Sequence, residues 1–368
     1  MPSTPPNTVE EILATADIHP EFAKGLQATL LRPGSSYSIS ELKSLTESSL
    51  PAFQKALADS QPSELAETEH HIKLRDGHDS RIIVCHRQDP PSSAVCPLIL
   101  LLPGGGHCIG YPEMELGLAR QLALTHSAVV VCSSYRLAPE FPFPYSINDS
   151  WDTLQWAAAE SRKSHSAILP VCTDARTGFI IGGSSAGANL AASLAHLARD
   201  RHLYPRVTGQ FLSAGIYMFS AHVPEKYQPY YLSRTQNAHA PILDEELYSI
   251  FCTAFNPDPT SPLWVSFDQH HPDDAAGEVA SGHMGLPPAY FQVCGMDMSR
   301  DDGLIYERVL REECRVSTRL DLYAGFGHCW WGLMPQLEMS RKRMKDSVDG
   351  VGWLLEVGKR SEQADDGR

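Results

Sequence analysis

Hydrophobic and polar residues follow two patterns along the chain, and the change between them comes near residue 65. Before that point, residues 8–16 and 40–59 show helical spacing among Pro, Ser and Gly, with no convincing alternating strand. After it, "HIKLRD" and "SRIIVCHR" predict a β-hairpin, and "PLILLLP" and "SAVVVCSSY" are short, continuously apolar runs. Such runs are typical of parallel strands that are buried on both faces.

The later apolar runs alternate with stretches of helical periodicity. The runs are "GFIIGG", "GQFLSAGIY", "AYFQVCG" and "TRLDLYAG", and helices are predicted over 186–199, 303–313 and about 337–357. Strands that alternate with helices predict an α/β fold, in which a mostly parallel central sheet carries helices on both faces.

Residues 218–286 interrupt this alternation. They are polar, rich in Pro and His, and contain one helical stretch, "DEELYSIFCTAF". We interpret them as a lid or cap insertion rather than as core. The chain then divides into an N-terminal cap or arm (1–65), a main domain (66–360) that carries the insertion, and a flexible tail (361–368).

Composition and charge narrow the class of ligand. With 42% hydrophobic residues among 368, the chain can bury a substantial core. A formal net charge of -14 without any Lys/Arg-rich run disfavours nucleic acid and anionic membrane surfaces as partners. The longest apolar run, 95–103, is too short to span a bilayer, so we expect no stable membrane insertion. A small, neutral or apolar ligand fits these properties better.

The cysteines and the N-terminal residues indicate the compartment. Nine cysteines are scattered without a Cys-x-x-Cys pair, which predicts free thiols in a reducing environment. The first 22 residues have neither the basic region nor the apolar region of a secretory signal. We therefore expect a cytoplasmic protein. A homo-oligomer is possible as well, because nothing in the sequence decides the oligomeric state.

A serine in "FIIGGSSAGANLAASLAHLA" is the first candidate for chemistry. A nucleophile elbow places a serine between a strand and a helix, with small residues two positions before and two after it. Glycine stands at both positions around Ser185, whereas Ser184 has one glycine and one alanine. We predict Ser185 as the nucleophile. The alternative is a glycine-rich turn that only packs or binds phosphate, although a phosphate loop would carry a Lys or a third spaced Gly.

Three glycines follow the first buried run, in "LLLPGGGHCIGYPE". The backbone N–H groups of Gly104 and Gly105, with that of Ala186 just after the predicted nucleophile, would form an oxyanion hole. Glycine is needed there because a side chain would keep the backbone away from the tetrahedral intermediate. The alternative is an ordinary turn at the end of a strand, but the position upstream of the elbow favours the oxyanion hole.

The partners of this serine are expected in the order Ser, Asp, His. Asp297 stands just after the run "AYFQVCG", where the acid of a triad belongs, and we predict that Asp301 and Asp302 cap the next helix. Of the sixteen histidines, only His328, in "YAGFGHCWWG", lies C-terminal to Asp297. The predicted catalytic residues are therefore Ser185, Asp297 and His328.

A second cluster, "DQHHPDD" at 268–274, combines residue types that bind metals. It lacks a His-x-x-x-His helix or a pair of thiols, and its proline favours a solvated loop. We therefore expect neither a metal site nor a cofactor.

Five segments in a fixed order resemble the hormone-sensitive-lipase-like branch of the α/β-hydrolases, over about residues 95–355. They are "PGGGH", "YRLAPEFPFP", "GSSAGANLA", "GLPPAYFQVCGMDMSRDDG" and "GFGHCWW". The resemblance implies an α/β-hydrolase fold with a helical cap. It also implies a triad of Ser185, Asp297 and His328, and oxyanion donors at Gly104, Gly105 and Ala186.

Two positions depart from the family pattern. Pro103 stands where the family usually has His, so the hydrogen bonds that brace the glycine loop are expected to be missing or replaced. Ser184 stands where the family commonly has Asp. Neither position belongs to the triad, so hydrolysis is still expected.

The function that we predict is hydrolysis of a small, fairly apolar carboxylic ester through an acyl-enzyme, with a small-molecule ester as the substrate. The same acyl-enzyme can pass its acyl group to acceptors other than water. Thioester release, lactone chemistry and acyl transfer in a specialised biosynthetic pathway therefore stay open. A non-catalytic small-molecule receptor is a further alternative, because the family resembles plant hormone receptors that lost the histidine, whereas His328 is present here.

Overall fold

A computed structural model describes residues 5–29, 31, 33–90, 95–261, 263–264 and 282–365 of the chain. Three helices precede the sheet: α1 (Val9–Ala14), α2 (Pro20–Ala28) and α3 (Ile39–Asp59). The side chains of Thr8, His19 and Ser38 each accept a backbone N–H in the first turn of the helix that follows. The helices predicted over 8–16 and 40–59 are confirmed, and α2 is an additional one.

Eight strands form one sheet in the order β1-β2-β4-β3-β5-β6-β7-β8. Their bounds are β1 (Leu65–Lys73), β2 (Asp79–Arg87), β3 (Leu98–Leu102), β4 (Val129–Ser133), β5 (Phe179–Ser184), β6 (Gly209–Ser213), β7 (Ala289–Cys294) and β8 (Thr318–Tyr323). Strand β2 pairs antiparallel with β1 and β4, and all other neighbours are parallel. The predicted hairpin and the mostly parallel sheet are confirmed.

Helices cover both faces of this sheet. The helices that follow β2 in the chain are α4 (Glu113–His126), α5 (Tyr145–Glu160), α6 (Ala186–Asp200), α7 (Ser233–Gln236), α8 (Glu245–Phe255), α9 (Arg300–Arg308), α10 (Trp330–Leu333) and α11 (Glu338–Asp365), and of these α7 and α8 belong to the insertion. Every residue of β3 to β7 is buried, and alternate residues enter different cores. Leu98 and Leu100 belong to the core that includes residues of α5, α6 and α9, whereas Ile99 and Leu101 belong to the core that includes residues of α4 and α11. Burial on both faces explains why these strands are continuously apolar.

Three boundaries differ from or extend the predicted ones. The predicted insertion over 218–286 contains α7 and α8, and its residues 262 and 265–281 lie outside the described part. Helix α9 begins at residue 300 and not at 303, and it continues as a π-helical turn over Val309–Glu313. Helix α11 includes 361–365 of the predicted tail, and 366–368 lie outside the described residues.

Candidate active site

The turn between β5 and α6 places Ser185 at the carboxyl edge of the sheet. Its backbone has φ 54° and ψ -118°, a strained conformation for a residue with a side chain, and its N–H donates to the carbonyl of Ser213 over 2.8 Å. A Cβ on Gly183 or on Gly187 would overlap the carbonyl oxygen of Leu102. Close packing of the elbow against β3 therefore requires glycine at both flanking positions. This packing is the physical basis of the spacing that distinguishes Ser185 from its neighbour.

A chain of hydrogen bonds joins the three predicted catalytic side chains. Ser185 Oγ lies 2.9 Å from His328 Nε2, and His328 Nδ1 lies 2.6 Å from Asp297 Oδ2. Asp297 follows β7 and His328 follows β8, so both reach the edge of the sheet at which the elbow lies. When Nδ1–H donates to the carboxylate, Nε2 is left as the acceptor for the serine hydroxyl. This is the arrangement in which a histidine acts as general base toward a serine.

Burial and charge act in opposite directions on the acid and the base. Burial lowers the pKa of His328, but the carboxylate of Asp297 raises that pKa by more, to well above its ordinary 6.5. Burial raises the pKa of Asp297, but the charge of His328 and the hydrogen bonds from His328 and Ser299 bring it below its ordinary 3.8. The pair therefore stabilises an imidazolium, which is what His328 becomes when it takes the serine proton.

The glycine loop after β3 runs directly beside the serine. A Cβ on Gly104 would lie 3.3 Å from the Cβ of Ser185. Gly105 has φ 110°, in the region that favours glycine, and a side chain there would overlap the backbone of Ile109. Outside helices and strands, no backbone hydrogen bond of the described residues uses the N–H of Gly104, Gly105 or Ala186. These are the three groups that the sequence predicts as oxyanion donors.

A tyrosine braces the glycine loop. The hydroxyl of Tyr135 is buried and donates to the carbonyl of Pro103 over 2.7 Å. On the outer side of the loop, the ring of Phe251 in α8 occupies the space that a Cβ on Gly106 would need. This hydrogen bond holds the loop at the position where the family pattern has His. Tyr135 lies in the segment "YRLAPEFPFP", but nothing local in that segment reveals its partner.

The prediction that Asp301 and Asp302 cap the following helix is wrong. The N-cap of α9 is Ser299, and both aspartates lie in its first turn. Asp302 accepts the backbone N–H groups of Tyr217 and Met218, both over 2.8 Å, and Asp301 accepts those of residues 232 and 233. These donors belong to segments about 70 to 85 positions away along the chain. The two carboxylates therefore fasten the insertion to α9.

An asparagine of the insertion was missed by the sequence analysis. Asn237 is buried, and its side-chain amide donates to the backbone carbonyl of Asp297 over 2.8 Å. A single asparagine after a short helix carries no sequence signal of such a contact. Its position shows that the insertion contacts the loop that holds the acid.

The cluster at 268–274, for which no metal site is predicted, lies outside the described residues. In the part of the chain that is described, no three His, Cys, Asp or Glu side chains gather in a way that could hold a metal ion. Likewise, none of the described helices has the length and apolar character needed to cross a membrane.

Comparison with protein families and curated proteins identifies similar sequences. A family profile described as alpha/beta hydrolase fold matches residues 99–332. A Schizosaccharomyces pombe protein named for the AB hydrolase superfamily is 31% identical over 299 residues, which are 80% of this chain and 81% of the relative. The versiconal hemiacetal acetate esterase of Dothistroma septosporum is 30% identical over 261 residues, 70% of this chain and 74% of that one.

Solved structures show the same architecture. The crystal structure of vibralactone cyclase superposes with a TM-score of 0.81 at 26% sequence identity, and the match covers 97% of this chain and 99% of the cyclase. The match thus includes the sheet and is not confined to it.

Proposed function

Since the chain belongs to the hormone-sensitive-lipase-like branch of the α/β-hydrolase fold family and is a carboxylic ester hydrolase, we propose that it cleaves a small, fairly apolar ester through an acyl-enzyme on Ser185. The observation that carries the proposal is the hydrogen-bonded series Ser185, His328 and Asp297. The three side chains come from three separate strand ends.

In the first half of the reaction, Ser185 Oγ attacks the ester carbonyl carbon. The serine proton passes to His328 Nε2, while Nδ1–H stays hydrogen-bonded to Asp297. His328 then gives this proton to the leaving alkoxide, the alcohol departs, and the acyl group remains on the serine oxygen. In the second half, water attacks the acyl carbon, and His328 takes a proton from that water and returns it to Ser185.

The charge that develops on the carbonyl oxygen is received by backbone donors. We assign this role to the N–H groups of Gly104, Gly105 and Ala186, none of which donates in a backbone hydrogen bond of the described residues outside helices and strands. Fixed donors of this kind are commonly the largest electrostatic contribution to acyl transfer, because they need no reorganisation as the charge forms. The brace from Tyr135 to the loop keeps the donors in place.

The substrate pocket is proposed to lie under a cap formed by residues 1–65 and by the insertion 218–286, over the main domain 66–360. Asp244, the N-cap of α8, accepts the N–H of Gly34 over 2.8 Å and so joins the arm to the insertion. An apolar cluster that includes Phe255 and Trp264 extends from α8 toward the glycine loop. These surroundings favour an apolar acyl or alcohol group. Residues 361–368 have no role in this proposal.

The cellular compartment of the enzyme is also part of what we propose. The nine cysteines are free thiols, as expected in a reducing environment, and we place the enzyme in the cytoplasm.

The test is turnover of p-nitrophenyl esters of increasing acyl length by the full chain and its variants. Ser185→Ala is expected to abolish turnover and labelling by an organophosphate. Ser193→Ala is the matched control, because Ser193 is buried two turns further along α6. Turnover that survives Ser185→Ala but is lost in Ser184→Ala would assign the nucleophile to the neighbouring serine. Absence of both turnover and labelling in the wild type would support a receptor instead.

A second candidate is intramolecular capture of the acyl group, which forms a lactone instead of an acid. The observation that favours it is the match to vibralactone cyclase over nearly the whole of both chains. The two reactions share the acyl-enzyme and differ in whether water or a substrate hydroxyl attacks it. A hydroxy-acyl p-nitrophenyl ester distinguishes them, since mass spectrometry of its product shows either the lactone or the free hydroxy acid.

A further inference from the structure

A buried arginine behind the nucleophile has no role in the reaction described above. Arg343 lies in α11, and only 3% of its surface is exposed. Its Nη2 donates to Ser213 Oγ over 3.0 Å, and its Nε donates to Gln292 Oε1 over 2.8 Å. Burying a guanidinium is costly unless its N–H groups are hydrogen-bonded. These two neutral side chains therefore hold the arginine in one orientation.

The three side chains form a closed ring of hydrogen bonds. Ser213 Oγ accepts from Arg343 and donates to Gln292 Oε1 over 2.9 Å, so that this amide oxygen accepts from both neighbours. Ser213 and Gln292 are also buried partners in the sheet, near the carboxyl ends of β6 and β7. A guanidinium is planar and carries its donors in a fixed fork. Arg343 thus fixes the separation of the two strand ends.

This ring lies next to the groups that hold the nucleophile and the acid. The backbone carbonyl of Ser213 accepts the N–H of Ser185 over 2.8 Å, and the carbonyl of Gln292 accepts the N–H of Ala214 over 2.8 Å. Asp297 follows Gln292 in the chain, just after β7 ends. A shift of β6 relative to β7 would therefore move the serine relative to the acid that orients its histidine.

Arg343 also contacts the segment that carries the base. Its guanidinium carbon lies 3.9 Å from the ring centre of Trp331, which belongs to α10. A cation at this distance over an aromatic face is attracted to it. Helix α10 begins at Trp330, so it follows His328 closely in the chain. One side chain thus contacts both the strand that anchors the nucleophile and the helix that follows the base.

We infer that Arg343 is a positioning residue for the proposed acyl-enzyme reaction. Its guanidinium holds Ser213 and Trp331 in fixed places. This keeps Ser185 Oγ and His328 Nε2 at the 2.9 Å that separates them. The inference rests on the proposed function, because it needs Ser185 to be the nucleophile. Small misplacements of reacting groups reduce rates strongly, so loss of these contacts should lower kcat and change KM little.

The first experiment compares kcat and KM of the wild type and of Arg343→Lys on a short p-nitrophenyl ester. Lysine keeps the positive charge but lacks the planar fork that bonds two partners at once. Organophosphate labelling carried to completion counts the folded enzyme, so that a loss of stability is not taken for a loss of rate. We expect kcat to be about tenfold lower and KM to be unchanged. The kcat of the wild type in this variant would overturn the inference.

Two serines that bond the same glutamine provide a matched pair that leaves the arginine in place. Ser213 Oγ donates to Gln292 Oε1, on the side of Arg343, whereas Ser347 Oγ accepts from Gln292 Nε2 over 2.9 Å. Both serines are fully buried. Ser213→Ala should lower kcat about tenfold at unchanged KM, whereas Ser347→Ala should lower thermal stability and keep the kcat of the wild type. Equal kcat in the two variants would overturn the inference.

The double variant of Arg343→Lys and Ser213→Ala tests whether the two residues act through one contact. If they do, its kcat equals that of the slower single variant, and additive losses would contradict the inference.

Trp331→Leu examines the contact on the side of the base. It removes the ring but keeps an apolar side chain, and kcat should fall while KM stays the same. The kcat of the wild type in this variant would overturn the role assigned to Trp331. Failure of the proposed function looks different, because the wild type itself would then show neither turnover nor covalent labelling of Ser185.

Discussion

The side-chain amide of Asn237 donates to the backbone carbonyl of Asp297 over 2.8 Å and to that of Gly295 at 3.3 Å. Asn237 belongs to the insertion, whereas the two carbonyls belong to the loop after β7. All of these groups are buried, so the two carbonyls depend on this donor and not on bulk water. The cap segment thus contributes directly to the position of the catalytic acid in the proposed mechanism.

Substitution of this asparagine is expected to affect stability and activity together. Asn237→Ala leaves two buried carbonyls without this donor and should lower the free energy of unfolding by about 1–3 kcal/mol. Asn237→Asp should be more damaging, because a carboxylate would then face the same carbonyl oxygens. Chemical denaturation and kcat on a short p-nitrophenyl ester check both. A stable Asn237→Asp variant with wild-type kcat would contradict the assigned contact.

The pH dependence of activity should follow His328. Its pKa lies well above 6.5, so the imidazole is protonated and inactive as a base at low pH, and kcat/KM should rise as the pH increases through that raised pKa. Asp297→Asn removes the charge that raises the pKa, so burial then lowers it and the rise in kcat/KM moves to lower pH. The same change should reduce kcat by about 10³–10⁴-fold. A rise centred below pH 6.5 in the wild type would contradict the first statement.

Glycine at the elbow is required by packing, and a second glycine provides the control. Gly187→Ala places a methyl group against the carbonyl of Leu102, which should cost about 1–3 kcal/mol of stability or more, with loss of activity. Gly117→Ala, within α4, meets no atom within 4 Å and should stabilise the protein by about 0.5–1 kcal/mol. Thermal and urea unfolding of the two variants measure the contrast. Similar stability changes in both would show that the elbow is less tightly packed than described.

Removal of one oxygen atom, the hydroxyl of Tyr135, removes the hydrogen bond that braces the glycine loop. Tyr135→Phe leaves the buried carbonyl of Pro103 without this donor and should lower the free energy of unfolding by about 1–3 kcal/mol. Because the loop carries the proposed oxyanion donors, kcat should fall while KM changes little. Steady-state kinetics on p-nitrophenyl esters test this. Lower stability with an unchanged kcat would limit Tyr135 to a structural role.

The sequence and the structure agree where local patterns decide the outcome. Continuously apolar runs predicted strands buried on both faces, and β3 to β7 are buried throughout. Glycine spacing predicted the elbow at Ser185, because the close approach to Leu102 excludes a side chain at either flanking position. Chain order selected His328, since no other histidine follows Asp297. Each of these inferences depends on residues that are neighbours in the sequence or on their order along it.

Local rules failed where distant segments compete for the same group. Asp301 and Asp302 stand where helix caps are expected, yet their carboxylates accept N–H groups from the segments around 217 and 232. A carboxylate in a first turn has both options, and nearby sequence does not show which donors the fold brings within reach. The same applies to Asn237, whose partner is 60 residues away in the chain.

By itself, therefore, the sequence determined the sheet, the elbow and the order of the three catalytic candidates, because periodicity, glycine spacing and chain order are properties of the chain. Only the tertiary structure decided which groups support them. Tyr135 reaches Pro103, Asn237 reaches the loop of the acid, and Arg343 reaches Ser213 from α11. These contacts depend on how the layers pack, and packing brings together residues whose separation along the chain carries no signal of their proximity.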